Sequence, residues 1–240
     1  MTDAKNNPEP EFDAFADNYD EALQQGLSLT GENKEYFAAE RVRWMQHILS
    51  HRNAPSRHIL DFGCGTGGSI PYLREAFSPK TLIGTDVSDD SLKIASAEPN
   101  PESYRFERLD QYQPQADRDL AFCNGVFHHI PPRERSACAA TVFKSLLPGG
   151  YFCFWENNPW NPGTRWVMSR VPFDRDAIML WPGEARKLLA SVGFQITLTT
   201  YRFFFPNALR YFRPWERALS HIPLGGQYLV LAQKPATAEH

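Results

Sequence analysis

Three acidic residues and a run of glycines carry the first legible chemistry of this chain. Ile59-Leu60-Asp61-Phe62-Gly63-Cys64-Gly65-Thr66-Gly67-Gly68-Ser69 is an apolar run that ends in an acid, turns through glycines and leads into an amphipathic stretch. Glycine lets the backbone turn sharply and approach a ligand closely, and the N–H groups opening the next helix face the same space. The glycine spacing fits two patterns, GxGxxG through Gly63, Gly65 and Gly68 and GxGxG through Gly63, Gly65 and Gly67. Asp61 discriminates between ligands. A pyrophosphate at this position would meet a like charge, whereas an ammonium would meet an opposite one. Asp86, in Ile83-Gly84-Thr85-Asp86-Val87-Ser88, follows the glycines by about 20 residues, the distance at which an acid reaches ribose hydroxyls. Asp110, in Phe106-Glu107-Arg108-Leu109-Asp110-Gln111, closes a third such segment, where a carboxylate would accept from an exocyclic amine. Together the acids describe a ligand that is cationic near the turn and nucleoside-like beyond it.

These residues need strands that deliver them to one edge. After the break at Pro55, strand patterns over His58–Phe62, Thr81–Asp86, Tyr104–Leu109, Leu120–Asn124 and Tyr151–Glu156 alternate with helix patterns over Gly67–Phe77, Asp89–Ala97 and Pro132–Leu147. That rhythm predicts an α/β fold, with a parallel sheet and helices on both faces. Ahead of it, Phe12–Gln25 has a loose helical period and Glu35–His51 a stronger one. Behind it, Asn157–Trp181 is rich in Pro, Trp and Arg and has no clean period. A helix over Gly183–Val192, a strand over Phe194–Phe205, an aromatic-basic connection and a strand over Gln227–Lys234 follow. We therefore expect one domain over 1–240. Residues 1–10 are expected to be disordered, 11–52 to form a helical cap, and 157–182 and 206–226 to be substrate-side insertions.

Composition sets the remaining bounds. With 240 residues and 42% hydrophobic content, the chain has ample core for one domain. A net charge of −3 gives no electrostatic push toward nucleic acid. The first residues, MTDAKNNPEPEF, show no targeting pattern, and no apolar run approaches the ~20 residues of a membrane span. A cytoplasmic location is expected. Cys64, Cys123, Cys138 and Cys153 form no CxxC pair, so they read as reduced small hydrophobes, with neither a disulfide nor a metal site expected.

On these motifs the chain resembles class I S-adenosylmethionine-dependent methyltransferases acting on small molecules. DFGCGTG resembles their first motif, GTDVS their ribose loop and LDQY their adenine loop. DLAFCNGVFHHIPPRER resembles their fourth-strand segment and LLPGGYFCFWE their fifth. The similarity covers Phe12–Glu156 well and Gly183–Pro235 in outline. It implies a Rossmann-like seven-stranded sheet of order 3-2-1-4-5-7-6 with strand 7 antiparallel, and S-adenosyl-L-methionine as cofactor. The resemblance places Asp61 and Gly63 at the methionine part, Gly65 beside the nucleoside, Asp86 and Val87 at the ribose, and Asp110 with Gln111 at the adenine. Asn124 would offer backbone near the methionine amine, Tyr19 would close over the cofactor, and Arg41 would meet its carboxylate.

Methyl transfer from a sulfonium destroys charge in the transition state, so alignment and a dry pocket matter most. A base is needed only if the acceptor must first lose a proton. His128 follows the fourth strand and is the candidate base or substrate-orienting group. Glu156, ending the fifth strand among aromatics, is the second candidate base. His129, Asn157, Trp160 and Arg165 are candidate substrate contacts. The aromatic residues of the tail predict an aromatic or amphiphilic acceptor, with a membrane-surface or lipid-linked substrate as the rarer form. Two other readings stay open: an NAD(P)-dependent oxidoreductase using the same turn, and a regulatory protein that binds S-adenosylmethionine without catalysis.

Overall fold

The computed structural model describes Leu27, residues 30–171 and residues 177–236. The predicted helix over Phe12–Gln25 and Tyr19 lie outside these residues. Seven strands form one sheet of order β3-β2-β1-β4-β5-β7-β6. They are β1 His58–Phe62, β2 Thr81–Asp86, β3 Tyr104–Arg108, β4 Arg118–Asn124, β5 Leu146–Asn157, β6 Gln195–Arg202 and β7 Gln227–Gln233. β1 through β5 run parallel to their neighbours, and β7 inserts antiparallel between β5 and β6. The predicted order and the reversed last strand are therefore both present.

Strand alternation builds two cores. Leu60 and Phe62 face one side with Phe152, Phe154, Tyr228 and Val230, while Ile59 faces the other with Cys153, Trp155, Leu229 and Leu231. Both faces are apolar because helices cover both, as a parallel sheet requires. The first side is closed by α4 Arg135–Ser145 and α6 Pro182–Ser191. The second is closed by α1 Lys34–Ser50 and α2 Ile70–Phe77. On the same α1 face as Val42, Met45, Ile48 and Leu49, the buried Arg41 comes down over the sheet edge. α3 Asp89–Ala97 starts on a Ser88 cap that accepts from Ser91 N at 3.1 Å.

Several boundaries differ from the sequence reading, and the larger differences have local reasons. α2 starts at Ile70 rather than Gly67, because Gly63, Gly65 and Gly67 take φ of 74°, 52° and 83°, outside right-handed helix. α4 ends at Ser145, and β5 begins at once at Leu146. There Lys234 Nζ donates to the carbonyls of Phe143 and Leu146 at 3.0 and 2.6 Å, so an ammonium completes the helix end. β6 stops at Arg202 because Phe203 takes a left-handed φ of 66°. Within the expected irregular stretch, Pro162–Met168 forms a short helix, α5, capped by Asn161 Oδ1 accepting from Thr164 N at 2.9 Å. A run of 3₁₀ turns over Asn207–Trp215 and a last turn, α7 Glu216–Leu219, complete the tail.

Candidate active site

The parallel register delivers the acids to one edge. Asp61 pairs with Gly84 and Asp86 with Arg108, so both carboxylates stand at the carboxyl ends of their strands. Asp86 organises the turn between them. Its two oxygens accept from Gly65 N at 2.8 Å and Ser88 N at 3.0 Å, which clamps the glycine turn to the start of α3. Gly63 has a steric reason of its own: a Cβ there would overlap Val126 Cγ2, in the loop after β4. Gly65 differs, because a Cβ on it would meet open space.

Asp61 is fully buried, and its Oδ2 has no hydrogen-bond partner among the described residues. Burial first, then the neighbouring Asp86 charge, push its carboxyl up to about 7, while Arg41 pulls it down. Asn124, at the end of β4, likewise has an unpartnered buried Oδ1. Two buried acceptors without donors, beside an open-sided glycine turn, match what the ammonium of an amino-acid-bearing nucleoside would satisfy. Asp61, Asn124, Gly65 and Asp86 thus suit S-adenosyl-L-methionine. Val87 and Asp110 lie further out and are exposed. Asp110 accepts from both Nε and a terminal nitrogen of Arg108, at 3.0 and 3.2 Å, and that guanidinium holds its carboxyl low. Gln111 is exposed beside it.

Past Asn124 the site opens into a cavity of about 450 Å³. Asn124, Gly125, His128 and His129 line it from the loop after β4, and Arg41 from α1. Along another wall, Arg41 donates to Gln227 Oε1 at 3.1 Å, and Gln227 Nε2 donates to Asn157 Oδ1 at 2.9 Å. Asn157 and Gln227 are antiparallel register partners, which is why the two amides meet.

His128 and Glu156 meet beneath this wall. His128 Nδ1 stands 2.6 Å from Glu156 Oε2, and Phe127 N donates to Glu156 Oε1 at 2.7 Å. An ionised carboxylate only accepts, so this contact places the proton on Nδ1 and makes Nε2 the basic nitrogen of the neutral ring. Glu156 is fully buried and does not line the cavity. The sequence reading offered Glu156 as a base; here both of its oxygens are occupied, one by the His128 ring and one by the Phe127 N–H. His129 stacks against His128, ring centroids 4.0 Å apart, and also reaches the cavity.

Trp160 and Arg165, named from sequence as substrate contacts, are not among the described residues lining the cavity. Trp160 is half-exposed and packs on Trp181, centroids 6.0 Å apart, because the Asn158 turn and the Asn161 cap turn it away from the cavity. Arg165 is exposed on α5. The α5 residues that line the cavity are Gly163, Thr164, Trp166, Val167 and Met168. Sequence reasoning passed over Phe37 and Lys34, and singled out Phe203–Phe205 and Arg213 only within the aromatic-basic tail; all of them line the cavity. The positive φ of Phe203 turns these aromatics inward, and no sequence pattern announces it. Glu216, only 2% exposed, holds that turn by accepting from the backbone N–H of Phe203, Phe204 and Phe205 at 3.1 to 3.2 Å. Arg213 pairs with Glu32 at 2.7 Å and stacks 4.4 Å from the Tyr36 ring centroid. Burial pushes the Tyr36 phenol up to about 12, so it stays a neutral hydroxyl.

Comparison with known proteins agrees with this geometry. Residues 60–152 match a family model described as a methyltransferase domain. The chain is 31% identical over 143 residues to a fatty-acid O-methyltransferase of Mycolicibacterium smegmatis, covering 59% of this chain and 51% of that protein. It is 33% identical over 117 residues to a trans-aconitate 2-methyltransferase of Acidovorax ebreus, covering 48% and 44%. The chain thus spans about half the length of these relatives. A solved S-adenosylmethionine-dependent methyltransferase from Mesorhizobium loti, 22% identical, superposes with a TM-score of 0.57 over 75% of this chain and 93% of its own.

Proposed function

We propose that this chain is a class I S-adenosylmethionine-dependent methyltransferase that methylates an amphiphilic small molecule through an acidic oxygen of a carboxyl group. The observation that carries the acceptor class is the division of the cavity. Phe37, Trp166, Val167, Met168 and Phe203–Phe205 offer apolar walls, while the charged side chains among the described lining residues are Lys34, Arg41, Arg213 and Glu32. An apolar body with an anionic head fits that division. The similarity to proteins named for a fatty acid and for trans-aconitate supports the same acceptor chemistry.

When bound, the cofactor would supply a sulfonium methyl: the oxygen–methyl bond forms as the sulfur–methyl bond breaks, and S-adenosylhomocysteine leaves. The residues of this chain do the rest. Asp61 and the edge at Asn124 receive the ammonium, Asp86 the ribose, and Asp110 and Gln111 the adenine side. A carboxylic acceptor is already ionised at neutral pH and needs no base. As the imidazolium paired with the Glu156 carboxylate, His128 would donate from Nε2 to the acceptor oxygen, with His129 beside it, and the aromatic walls exclude water. For a hydroxyl acceptor, Nε2 of the neutral ring would instead take the proton.

Calorimetry and a methylation screen test this reading. S-adenosylhomocysteine is expected to bind and NAD to give no heat. Labelled methyl is expected to pass to long-chain or aryl carboxylic acids in preference to their alcohols and amines. Binding of NAD without S-adenosylhomocysteine would refute the cofactor assignment. Preferred transfer to amines would refute the acceptor class.

A further inference from the structure

The tail segment Asn207–Leu219 displays apolar residues with nothing described over them. Not one residue of Asn207–Trp215 is buried, although the stretch contains Leu, Tyr, Phe, Pro and Trp. Leu209 is 45% exposed, Tyr211 80%, Phe212 48% and Trp215 67%. Side chains of this size clustered on the surface mark an interaction site more often than a solvated face.

The charge of the segment is one-sided. Arg210 and Arg217 are exposed among these aromatics, with Arg210 5.3 Å from the Tyr211 ring centroid. The only acid between Asn207 and Leu219 is Glu216, and it is turned inward onto the Phe203–Phe205 backbone. The outward face therefore presents arginines and amphipathic rings without a carboxylate. Tyr and Trp beside arginines are the chemistry of a lipid–water interface, where rings sit at headgroup depth and guanidinium groups meet phosphates.

The patch is also continuous with the cavity. Phe205 lines the cavity and packs on Phe212 at 5.7 Å, and Phe212 packs edge-on against Trp215 at 6.4 Å. A line of aromatic rings thus runs from the cavity wall to the exposed surface. No described helix is long and apolar enough to cross a membrane, so contact through this face would be peripheral.

We propose that the Leu209–Arg217 face docks reversibly on anionic lipid bilayers and sets the cavity mouth at the membrane surface. Docking itself does not depend on the proposed methyl transfer. The corollary, that an amphiphilic acceptor enters from the bilayer, does rest on that reading.

The test is flotation of the full chain with vesicles of phosphatidylcholine alone or with phosphatidylglycerol added, read without methyl donor or acceptor. Wild type is expected to float with the anionic vesicles, to float less with phosphatidylcholine, and to be released by salt. Y211S/W215S and R210E/R217E are each expected to weaken binding about tenfold or more, with unchanged melting temperature, since these side chains are exposed. Wild type that stays unbound, or variants that float equally, would overturn the proposal. So would concentration-dependent self-association abolished by Y211S/W215S, which would make a second copy the occupant. Failure here leaves the methyl-transfer reading intact, because that reading is tested by cofactor binding and acceptor choice.

Discussion

His128 Nδ1 and Glu156 Oε2 stand 2.6 Å apart, with side chains only 3% and 1% exposed. The pair works as one unit because Phe127 N holds the other carboxylate oxygen. In Glu156→Gln the amide has one acceptor for two donors, so either the imidazole or the backbone N–H loses its partner. We predict a fall in kcat of roughly ten- to a hundredfold and a stability loss of about 1–3 kcal/mol. The S-adenosylhomocysteine affinity should be unchanged, because Glu156 does not touch that end of the site. Turnover, calorimetry and thermal melts on one preparation separate the three effects, and a loss confined to cofactor affinity would contradict the positioning role.

Asp61 predicts a pH dependence with a definite sign. Its folded carboxyl is raised to about 7, well above the ordinary aspartate range, so the folded state holds this proton more tightly than the unfolded one. The contribution of Asp61 to stability is then unpenalised below about 4 and lost progressively as pH rises toward 7. A bound ammonium reverses the shift by favouring the carboxylate. Binding S-adenosylhomocysteine near pH 6 should therefore release a proton, visible as a dependence of binding heat on buffer ionisation heat that fades above pH 8. Asp61→Asn should remove the proton release and weaken binding. A buffer-independent heat near pH 6 in the wild type would refute the assignment.

Gly63 and Gly65 lie two residues apart with opposite expected phenotypes. Gly63→Ala combines a φ of 74° with overlap onto Val126, so it should cost about 2–4 kcal/mol of stability. Adding Val126→Ala should recover part of that loss. Gly65→Ala keeps a φ of 52° but points its methyl into open space. It should cost about 1 kcal/mol of stability and show its main effect as weaker cofactor binding. Chemical denaturation and calorimetry on both variants distinguish a packing glycine from a ligand-facing one.

The sheet was legible because its signals are local. β1, β2 and β4 are short, buried, largely apolar runs closed by a turn, and Asp61 and Asp86 sit where the first two stop. The His128–Glu156 pair was half legible: both residues stood out at neighbouring strand ends, but only the β4–β5 register shows that Glu156 faces His128 rather than the cavity. The substrate walls were illegible for a different reason. Trp160 and Trp166 look alike in sequence, and the Asn161 cap sets the start of α5, on which Trp166 reaches the cavity. Phe203–Phe205 are steered by a carboxylate eleven to thirteen residues away. Gln227 reaches Asn157 only through the antiparallel pairing of β7. Such long-range constraints leave no periodic trace.

Glu216 supplies the last prediction. Its carboxylate accepts from three consecutive backbone N–H groups, and Arg202 lies 3.7 Å away, itself 4.6 Å from the Trp44 ring centroid. Glu216→Gln keeps the volume but replaces one acceptor oxygen by a donor, which faces either the Phe203 N–H or the Phe204 and Phe205 N–H pair. The expected stability loss is about 2–4 kcal/mol, since a buried charge-assisted network is broken. Functionally the Phe203–Phe205 wall should loosen while Asp61, Asp86 and the glycine turn stay in place. Acceptor KM should then rise severalfold with little change in S-adenosylhomocysteine affinity. Because the wall is apolar, the rise should be larger for long-chain acids than for short ones. An equal rise for both would mean that this wall does not hold the acceptor body.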